Sequence, residues 1–266
     1  LSGIVTNSHK IIKGEIPSLK NETKDFFFMK RSQPENVNNT IAELCKKRLP
    51  EAYGYNPLND IQVITPSRIS STGTGILNRI LQEILNPVTD ENKIVKYKNL
   101  VFKEGDKVMQ IKNNYDTSWS KADGETGKGI YNGDIGFIVA LDRDSKILTV
   151  RFDDRFTVYS YEMLDELELA YAITVHKSQG SEFKAVIIPV FEGSKMLFNR
   201  CLLYTAVTRA KELVILIGLE RKISEMVTNN DTSIKYCGLK YLIQRQVSNN
   251  GNFEKSETDF SESIFS

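Results

Sequence analysis

The segment "TVHKSQGSEF", Thr174 to Phe183, places one of the two histidines of the chain among hydroxyls, an amide, a lysine and a glutamate. Short hydroxyls, an imidazole and backbone N–H groups at a chain reversal are suited to contacts with phosphate. A serine–histidine nucleophilic pair is disfavoured because His176 and Ser178 are two positions apart, and such side chains do not face each other on a helix. On spacing alone, a phosphate-contacting turn and an ordinary polar helix end both remain open.

A second stretch, "CLLYTAVTRAKE", combines an apolar helix face with one arginine between polar neighbours. At 100° per residue the apolar side chains share one face, which packing alone explains. Packing does not require Arg209, whose guanidinium is flanked by Thr205 and Thr208 on the opposite face. A guanidinium at the end of a helix can bind phosphate through two parallel hydrogen bonds.

Neither glycine-rich stretch matches a nucleotide-binding loop. "ADGETGKGI" has Ala122 in place of the first glycine of a phosphate loop and Gly129 in place of its final Ser or Thr. "TGTG" (72–75) lacks the spacing of a dinucleotide fingerprint and is expected to precede a helix. The sequence therefore predicts side chains that contact phosphate without a loop that cradles a nucleotide.

No metal site is predicted. The acidic pieces "DRD" and "FDDR" fall at expected turns, and no further carboxylates repeat at ligand spacing. Cys45, Cys201 and Cys237 are far apart and odd in number, which favours three reduced thiols in a cytoplasmic protein over disulfides.

Strands and helices alternate at both ends of the chain. Short strands are predicted at 25–31 and 60–66, and each is followed by a stretch with helical spacing. Two continuous apolar runs, 184–190 and 213–218, are typical of parallel strands buried on both faces, with a helix between them. This alternation predicts an α/β domain.

The middle of the chain has a different periodicity. Apolar residues alternate along 135–141 and 148–152 with a turn, "DRDS", between them, which predicts antiparallel strands of a small barrel. The glycine-rich segment 122–134 is expected to be a long loop in that barrel. The predicted boundaries are a connector at 1–24, an α/β domain at 25–100 and 165–247, an inserted barrel at 101–164 and a mobile tail at 248–266.

Length and charge limit the functional classes. The 266 residues carry a net charge of +1, so any nucleic-acid surface is expected to be a local patch. No run of about 18 apolar residues and no signal peptide are found. The chain begins with Leu rather than Met, and we expect it to be a piece of a longer protein.

Several segments together resemble one family. "LELAYAITVHKSQGSEFKAVIIPV" and "RCLLYTAVTRAKELVILIG" resemble motifs V and VI of superfamily one helicases, in the RecD/TraA branch that includes the exodeoxyribonuclease V alpha subunit. "DIQVITPSR" resembles the motif IV region, and "FKEGDKVMQIKNNYD" with "IYNGDIGFIVAL" resembles an inserted SH3-like barrel. The resemblance covers about residues 1–220. It implies a RecA-like second motor domain that carries this barrel and lacks the phosphate loop.

The resemblance also implies residue roles. Arg209 resembles the motif VI arginine finger, and Arg68 resembles a motif IV arginine that also contacts the γ-phosphate. Gly180 and Glu182 match motif V positions near the nucleotide, and Gln179 is expected to couple the two ligand sites. The positions expected to contact the backbone of single-stranded DNA are Thr174, His176 and Ser178.

The implied function is the C-terminal half of an ATP-dependent DNA helicase that moves 5′ to 3′. ATP and Mg²⁺ are expected in the full-length enzyme, whose first motor domain would supply the Walker A and B residues that this sequence lacks. The 266 residues alone are then expected to be inactive as an ATPase. The alternative is a stand-alone module that binds single strands or docks a partner, such as nuclease–helicase subunits, without hydrolysis.

Overall fold

The computed structural model describes residues 2–193 and 196–230, which lie within one compact unit. The predicted tail at 248–266 and Cys237 are outside the described residues. Six α-helices are present in the described part: α1 (Gly3–Lys13), α2 (Pro34–Glu43), α3 (Leu49–Tyr53), α4 (Thr74–Leu85), α5 (Arg200–Val207) and α6 (Glu220–Thr228). The strands are β1 (Phe26–Lys30), β2 (Ile61–Thr65), β3 (Ile94–Tyr97), β4 (Leu100–Lys103), β5 (Lys107–Gln110), β6 (Asn114–Ser120), β7 (Thr126–Ile130), β8 (Ile135–Asp142), β9 (Ile147–Phe152), β10 (Arg155–Ser160), β11 (Leu167–Leu169), β12 (Ala172–Thr174), β13 (Phe183–Val190) and β14 (Ala210–Gly218).

Five parallel strands form the first sheet, in the order β1-β14-β13-β2-β12. β13 and β14 lie in its interior, and their apolar runs 185–190 and 213–218 are buried throughout. Continuous apolar strands of this kind need helices on both faces of the sheet, because no face is left for water. The predicted α/β fold is confirmed.

Seven strands form an antiparallel sheet in the order β11-β5-β8-β9-β10-β6-β7, and β3 pairs with β4 in a separate hairpin. All seven strands of this sheet come from the part of the sequence between β2 and β12, so the sheet is an insertion in the sequence of the α/β domain. The alternation of β8 and β9 puts Ile138, Leu148 and Val150 into the core.

The prediction of a long loop over 122–134 is wrong. Residues Thr126–Ile130 form β7, which pairs with β6 at the edge of the antiparallel sheet. Gly127 lies directly against the indole of Trp119, where an added Cβ would come within 2.3 Å of the ring. This glycine permits close packing of a side chain on the strand, so glycine content alone does not indicate a loop.

Two buried charged residues lie where the sheets meet. The carboxylate of Asp106 accepts hydrogen bonds from Gln82, Asn86 and Tyr171, at 2.6, 2.8 and 2.9 Å. Burial raises the pKa of Asp106, and these donors oppose the rise. The next residue, Lys107, is 3% exposed and donates to Gln62 on β2. The antiparallel sheet is therefore attached to the α/β domain through polar contacts as well as a shared apolar core.

The N-terminal segment, predicted as a connector, contains the eleven-residue helix α1. Its first backbone N–H groups, those of Gly3 and Ile4, donate to the carboxylate of Asp25 at 2.9 and 3.4 Å. A carboxylate at this position compensates unpaired N–H groups and the positive end of the helix dipole. Ile4 and Ile11 are buried in the same core cluster as α5 residues, so α1 packs on the α/β domain.

Candidate functional site

The predicted site residues lie at two ends of the parallel sheet. Arg209 immediately precedes β14, and Glu182 immediately precedes β13, so both lie at the amino ends of neighbouring strands. Thr174 ends β12, and Arg68 lies three residues beyond the end of β2, at the carboxyl ends. We call these the amino-end group (Gly180, Glu182, Arg209) and the carboxyl-end group (Arg68, Thr174 and His176), and we add to the second group Lys177, which was not predicted from the sequence.

Arg209 is held in a defined position against the segment that contains Ser181 and Phe183. Its Nη1 donates to the carbonyl oxygen of Ser181 at 3.2 Å, and its Nε donates to the carbonyl of Thr205 at 3.2 Å. Its Nη2 lies 3.3 Å from the hydroxyl of Thr208, to which it donates. The backbone carbonyl of Arg209 accepts from the N–H of Phe183 at 2.9 Å. These contacts hold a partly exposed guanidinium against the carbonyl of Ser181, the residue before Glu182. α5 ends one residue before Thr208, and β14 begins directly after Arg209.

Gly180 and Glu182 complete the amino-end group. Gly180 has φ of +86°, a left-handed conformation that glycine adopts without strain, and no atom lies within 4 Å of an added Cβ. Glu182 pairs with Lys211 at 3.3 Å, and both side chains are more than half exposed. An exposed pair of this kind is weak, so the Glu182 carboxylate is available to a ligand. Gln179 is exposed and lies between Gly180 and Ser178, the last residue of a 3-10 turn.

His176 and Lys177 of the carboxyl-end group lie on a single turn of 3-10 helix, His176–Ser178, which follows Thr174 at the end of β12. Thr174 is partly buried, and its hydroxyl accepts from the N–H of Lys177 at 3.4 Å. His176 is exposed at the start of the turn. The turn is tied to β2 because the N–H of Val175 donates to the carbonyl of Thr65 at 3.2 Å.

Ser178 does not lie at the surface with its neighbours. Its side chain is fully buried, and its hydroxyl donates to the carbonyl of Val175 at 2.7 Å. The hydroxyl thus closes the 3-10 turn from inside. In this structure the contribution of Ser178 is to shape the turn that presents His176.

Arg68 is far from Arg209. The strand register places Thr65, at the end of β2, about seven residues along the sheet from Ala210, the first residue of β14. At about 3.3 Å per residue this separation is roughly 20 Å. Arg68 instead pairs with Glu168 on β11, with Nη2 and Oε1 2.7 Å apart. The structure therefore groups Arg68 with Thr174 and His176 and separates it from Arg209.

Two residues in this region were not singled out from the sequence. Lys177 lies within the "TVHKSQGSEF" segment, and its Nζ is 2.7 Å from the second carboxylate oxygen of Glu168. Glu168 alternates with apolar Leu167 and Leu169, which is the pattern of a strand with one polar face. That pattern predicts exposure of Glu168 but not its two partners, since Arg68 is 100 residues away in the sequence and Lys177 lies nine residues further on, beyond β12.

Within residues 2–193 and 196–230, no group of three or more His, Cys, Asp or Glu side chains is arranged to hold a metal ion. Cys45 is buried and Cys201 exposed, and both are free thiols. Over the same residues, no helix has the length and apolar character needed to cross a bilayer.

Two segments of the chain match domains of known protein families. Residues 77–152 match the SH3 domain of ATP-dependent RecD-like DNA helicases, and residues 169–217 match the C-terminal domain of UvrD-like helicases. The chain belongs to the RecD-like helicases. The ATP-dependent RecD2 DNA helicase of Deinococcus radiodurans is 34% identical over 209 residues, which is 79% of this chain and 26% of that protein. The RecBCD enzyme subunit RecD of Buchnera aphidicola (subspecies Acyrthosiphon pisum) is 27% identical over 257 residues, 88% of this chain and 40% of that protein.

Solved structures of Pif1 helicases are also similar to this chain, at low sequence identity. A Pif1 helicase from Bacteroides, in complex with ADP-AlF3 and single-stranded DNA, has a TM-score of 0.44 at 17% identity, covering 94% of this chain and 55% of that one. The Pif1 helicase from Candida albicans has a TM-score of 0.45 at 15% identity, covering 83% and 54%. The RecD-like chain spans 20% to 40% of the length of the first curated relatives. It is a C-terminal region of the RecD-like helicase type.

Proposed function

We propose that this chain is the second motor half of an ATP-dependent 5′–3′ DNA helicase, and that it supplies an arginine finger and contacts to single-stranded DNA. The direction of movement follows from the family branch. The observation that carries the proposal is the set of hydrogen bonds that positions the Arg209 side chain. Its guanidinium is fixed against Ser181 at the strand ends that also carry Gly180 and Glu182. A fixed cation beside an exposed carboxylate fits a nucleoside triphosphate, whose phosphates and sugar hydroxyls need donors and acceptors respectively.

The chemical role of Arg209 is electrostatic. Phosphoryl transfer spreads negative charge over the oxygens of the γ-phosphate, and a positioned guanidinium stabilises that charge as it develops. The present hydrogen bonds of Arg209 go to two carbonyls and one hydroxyl, all neutral acceptors. A phosphate is a stronger acceptor than any of these, so the guanidinium can exchange them for it with a small side-chain rotation.

A first motor domain would supply the remainder of the ATP site. The sequence contains no phosphate loop, so the cradle for the phosphates and the ligands of Mg²⁺ would come from that domain. The exposed face of the amino-end group would meet it across a cleft. Glu182 would then accept hydrogen bonds from the ribose hydroxyls, and Gly180 would allow the backbone to approach the nucleotide closely.

The carboxyl-end group would bind DNA. Thr174 and His176 lie on the turn between β12 and β13, and the same segment continues through Gln179 to Gly180 and Glu182. One stretch of nine residues therefore joins the two ends of the sheet. A displacement of the turn by DNA can be transmitted to the ATP side, with Gln179 between them. On this proposal Arg68 serves the DNA side, and Ser178 fixes the turn.

The test uses a polypeptide in which this chain follows its P-loop motor domain. Arg209→Ala should lower DNA-stimulated ATP hydrolysis by about 10³-fold or more, which is the typical contribution of an arginine finger. The dissociation constant for a single-stranded oligonucleotide should be unchanged. Arg221→Ala removes an exposed arginine from α6 and serves as the matched control. A loss of less than about tenfold in Arg209→Ala would refute the role of this residue.

A further inference from the structure

A positively charged cleft of about 670 Å³ lies between the parallel sheet and the antiparallel sheet. Its walls are the loop after β2, the first turns of α4, the tip of the β3–β4 hairpin and the strand β11. Three cationic side chains line it, Arg68, Arg79 and Lys98. Among the described residues that line this cleft, Glu168 is the single carboxylate. An adjoining cavity of about 190 Å³ shares Arg68 and Glu168 and adds Lys177 and Thr174 to the lining.

The Glu168 carboxylate bridges two of the cations. Its Oε1 is 2.7 Å from Nη2 of Arg68, and its Oε2 is 2.7 Å from Nζ of Lys177. Arg68 and Lys177 come from the loops after β2 and β12, which are neighbouring strands of the parallel sheet. Glu168 comes from the edge strand of the other sheet. One anion thus occupies the space between two cations that the parallel sheet presents together.

The backbone around Glu168 is held firmly. The side-chain amide of Asn78, on α4, donates to the carbonyls of Leu169 and Ala172 at 3.0 Å and accepts from the N–H of Ala172 at 2.8 Å. β11 is therefore fixed to α4 one residue from Glu168. The carboxylate itself is attached by a flexible side chain that is 24% exposed, and Arg68 is 67% exposed. The side chain of Glu168 can leave its partners while the strand stays in place.

We infer that Glu168 is an internal counter-ion that holds Arg68 and Lys177 in position in the DNA-free protein, and that a backbone phosphate of single-stranded DNA replaces its carboxylate on binding. This inference rests on the proposed DNA role of the carboxyl-end group and names a residue that tunes it. A phosphate oxygen matches a carboxylate oxygen in charge and in hydrogen-bond acceptance. The pair with Arg68 is exposed and contributes little to stability, and a phosphate that binds both cations leaves neither of them without an anionic partner.

The geometry favours a polymer of phosphates. Arg79 and Lys98 line the same cleft beyond the bridged pair, and no described carboxylate other than Glu168 lines it to neutralise them. Successive phosphates of one strand can follow such a row of cations. Glu168 then has two effects: it keeps Arg68 and Lys177 close together, and it competes with DNA for them. Competition predicts that removing the negative charge increases affinity.

The experiment measures binding of a fluorescently labelled single-stranded oligonucleotide to the 266-residue chain by anisotropy. Glu168→Gln should bind roughly tenfold more tightly than the wild type at low ionic strength. The gain should shrink as salt is added, because screening weakens both the ion pair and the phosphate contacts. Glu104→Gln is the matched control, since Glu104 forms an exposed ion pair with Lys93 and does not line the cleft. It should leave the affinity unchanged.

A second arm tests whether the gain acts through the two cations. In an Arg68→Ala, Lys177→Ala background, binding should weaken, and Glu168→Gln should then have no effect. An unchanged or weaker affinity of Glu168→Gln would overturn the inference, as would a gain that persists in this background. Absence of binding by both the wild type and Glu168→Gln would also overturn it, because the released cations would then not hold phosphate. None of these outcomes changes the turnover measurement on Arg209, so the two proposals fail separately.

Discussion

The Nζ atom of Lys107 lies 2.9 Å from Oε1 of Gln62, in a site that is closed to solvent. The amide nitrogen of Gln62 donates to the carbonyls of Ala170 and Tyr171, both at 3.1 Å. One glutamine on β2 thus joins the first residue of β5 to the chain that returns from the antiparallel sheet. Because these groups are shielded from water, breaking any one contact leaves a buried polar atom unpaired.

This buried lysine predicts a pH dependence of stability. Burial lowers the pKa of Lys107 from 10.5 to about 8. Between these values the unfolded chain binds more protons than the folded one, so the free energy of unfolding should rise with pH. Between pH 7 and pH 9 the rise due to Lys107 should be about 1 kcal/mol. Urea unfolding of the wild type and Lys107→Met at both pH values measures it.

Lys107→Met is informative because it retains bulk at the site and removes the titrating group. The neighbouring Cys45 is buried, which raises the pKa of its thiol to about 12, and its effect on stability begins near pH 9. That contribution is common to both proteins and cancels in their difference. If the difference in unfolding free energy is the same at pH 7 and pH 9, Lys107 does not titrate in this range.

The sequence predicts the strands well where one physical cause dominates. The apolar runs at 185–190 and 213–218 need two covered faces, and the parallel pairing of β13 and β14 follows from that requirement. The sequence fails at Thr126–Ile130, because glycine there serves the packing of Trp119. The failure is tertiary in origin: the ring that needs the space is on another strand.

The candidate site, too, is predictable from the sequence only in part. The types and spacing of Thr174, His176 and Arg209 predict phosphate contacts, since hydroxyl, imidazole and guanidinium groups suit that ligand, and these contacts stay a prediction. The sequence cannot show that Arg68 and Arg209 lie at opposite ends of the sheet. That fact depends on the register of β2 against β13 and of β13 against β14. The pairing of Glu168 with Lys177 depends in the same way on the place of β11.

Gly180 offers a test of backbone conformation at the ATP side. Gly180→Ala should destabilise the fold by about 1 kcal/mol, because a non-glycine residue is strained at φ of +86°. It should also lower DNA-stimulated ATP hydrolysis in the polypeptide that includes the P-loop domain. Gly54→Ala is the matched control, since Gly54 has φ of +69° and similarly open surroundings. Chemical denaturation and turnover assays on both variants should show equal destabilisation, with loss of activity confined to Gly180→Ala. Equal activity in the two variants would contradict the ATP role of Gly180.

His176 should contribute to DNA binding without contributing to stability. It is exposed on the 3-10 turn, so His176→Ala is expected to change the free energy of unfolding by less than about 0.5 kcal/mol. In the same polypeptide, the DNA concentration for half-maximal stimulation of ATP hydrolysis should increase several-fold. His9→Ala removes the other histidine of the chain, which is exposed on α1, and should have no effect. Unchanged turnover together with unchanged DNA affinity would show that His176 does not contact DNA.

The contact between Gly127 and Trp119 should make the edge of the antiparallel sheet sensitive to one methyl group. An alanine Cβ at position 127 would lie 2.3 to 2.9 Å from three atoms of the indole, closer than atoms in contact can approach. Gly127→Ala should therefore displace the ring and destabilise the chain by about 1–3 kcal/mol, as other overpacked sites do. Trp119 is the single tryptophan of the sequence, so a shift of its fluorescence emission reports the displacement directly. Gly75→Ala provides the opposite case. Gly75 lies in α4, and an added Cβ there would meet a single atom, the carbonyl oxygen of Arg68, at 3.6 Å. That variant should be stabilised by up to about 1 kcal/mol, since alanine favours a helix over glycine. If Gly127→Ala keeps both the stability and the emission of the wild type, the indole does not rest on this glycine, and the pairing of β7 with β6 must be arranged differently.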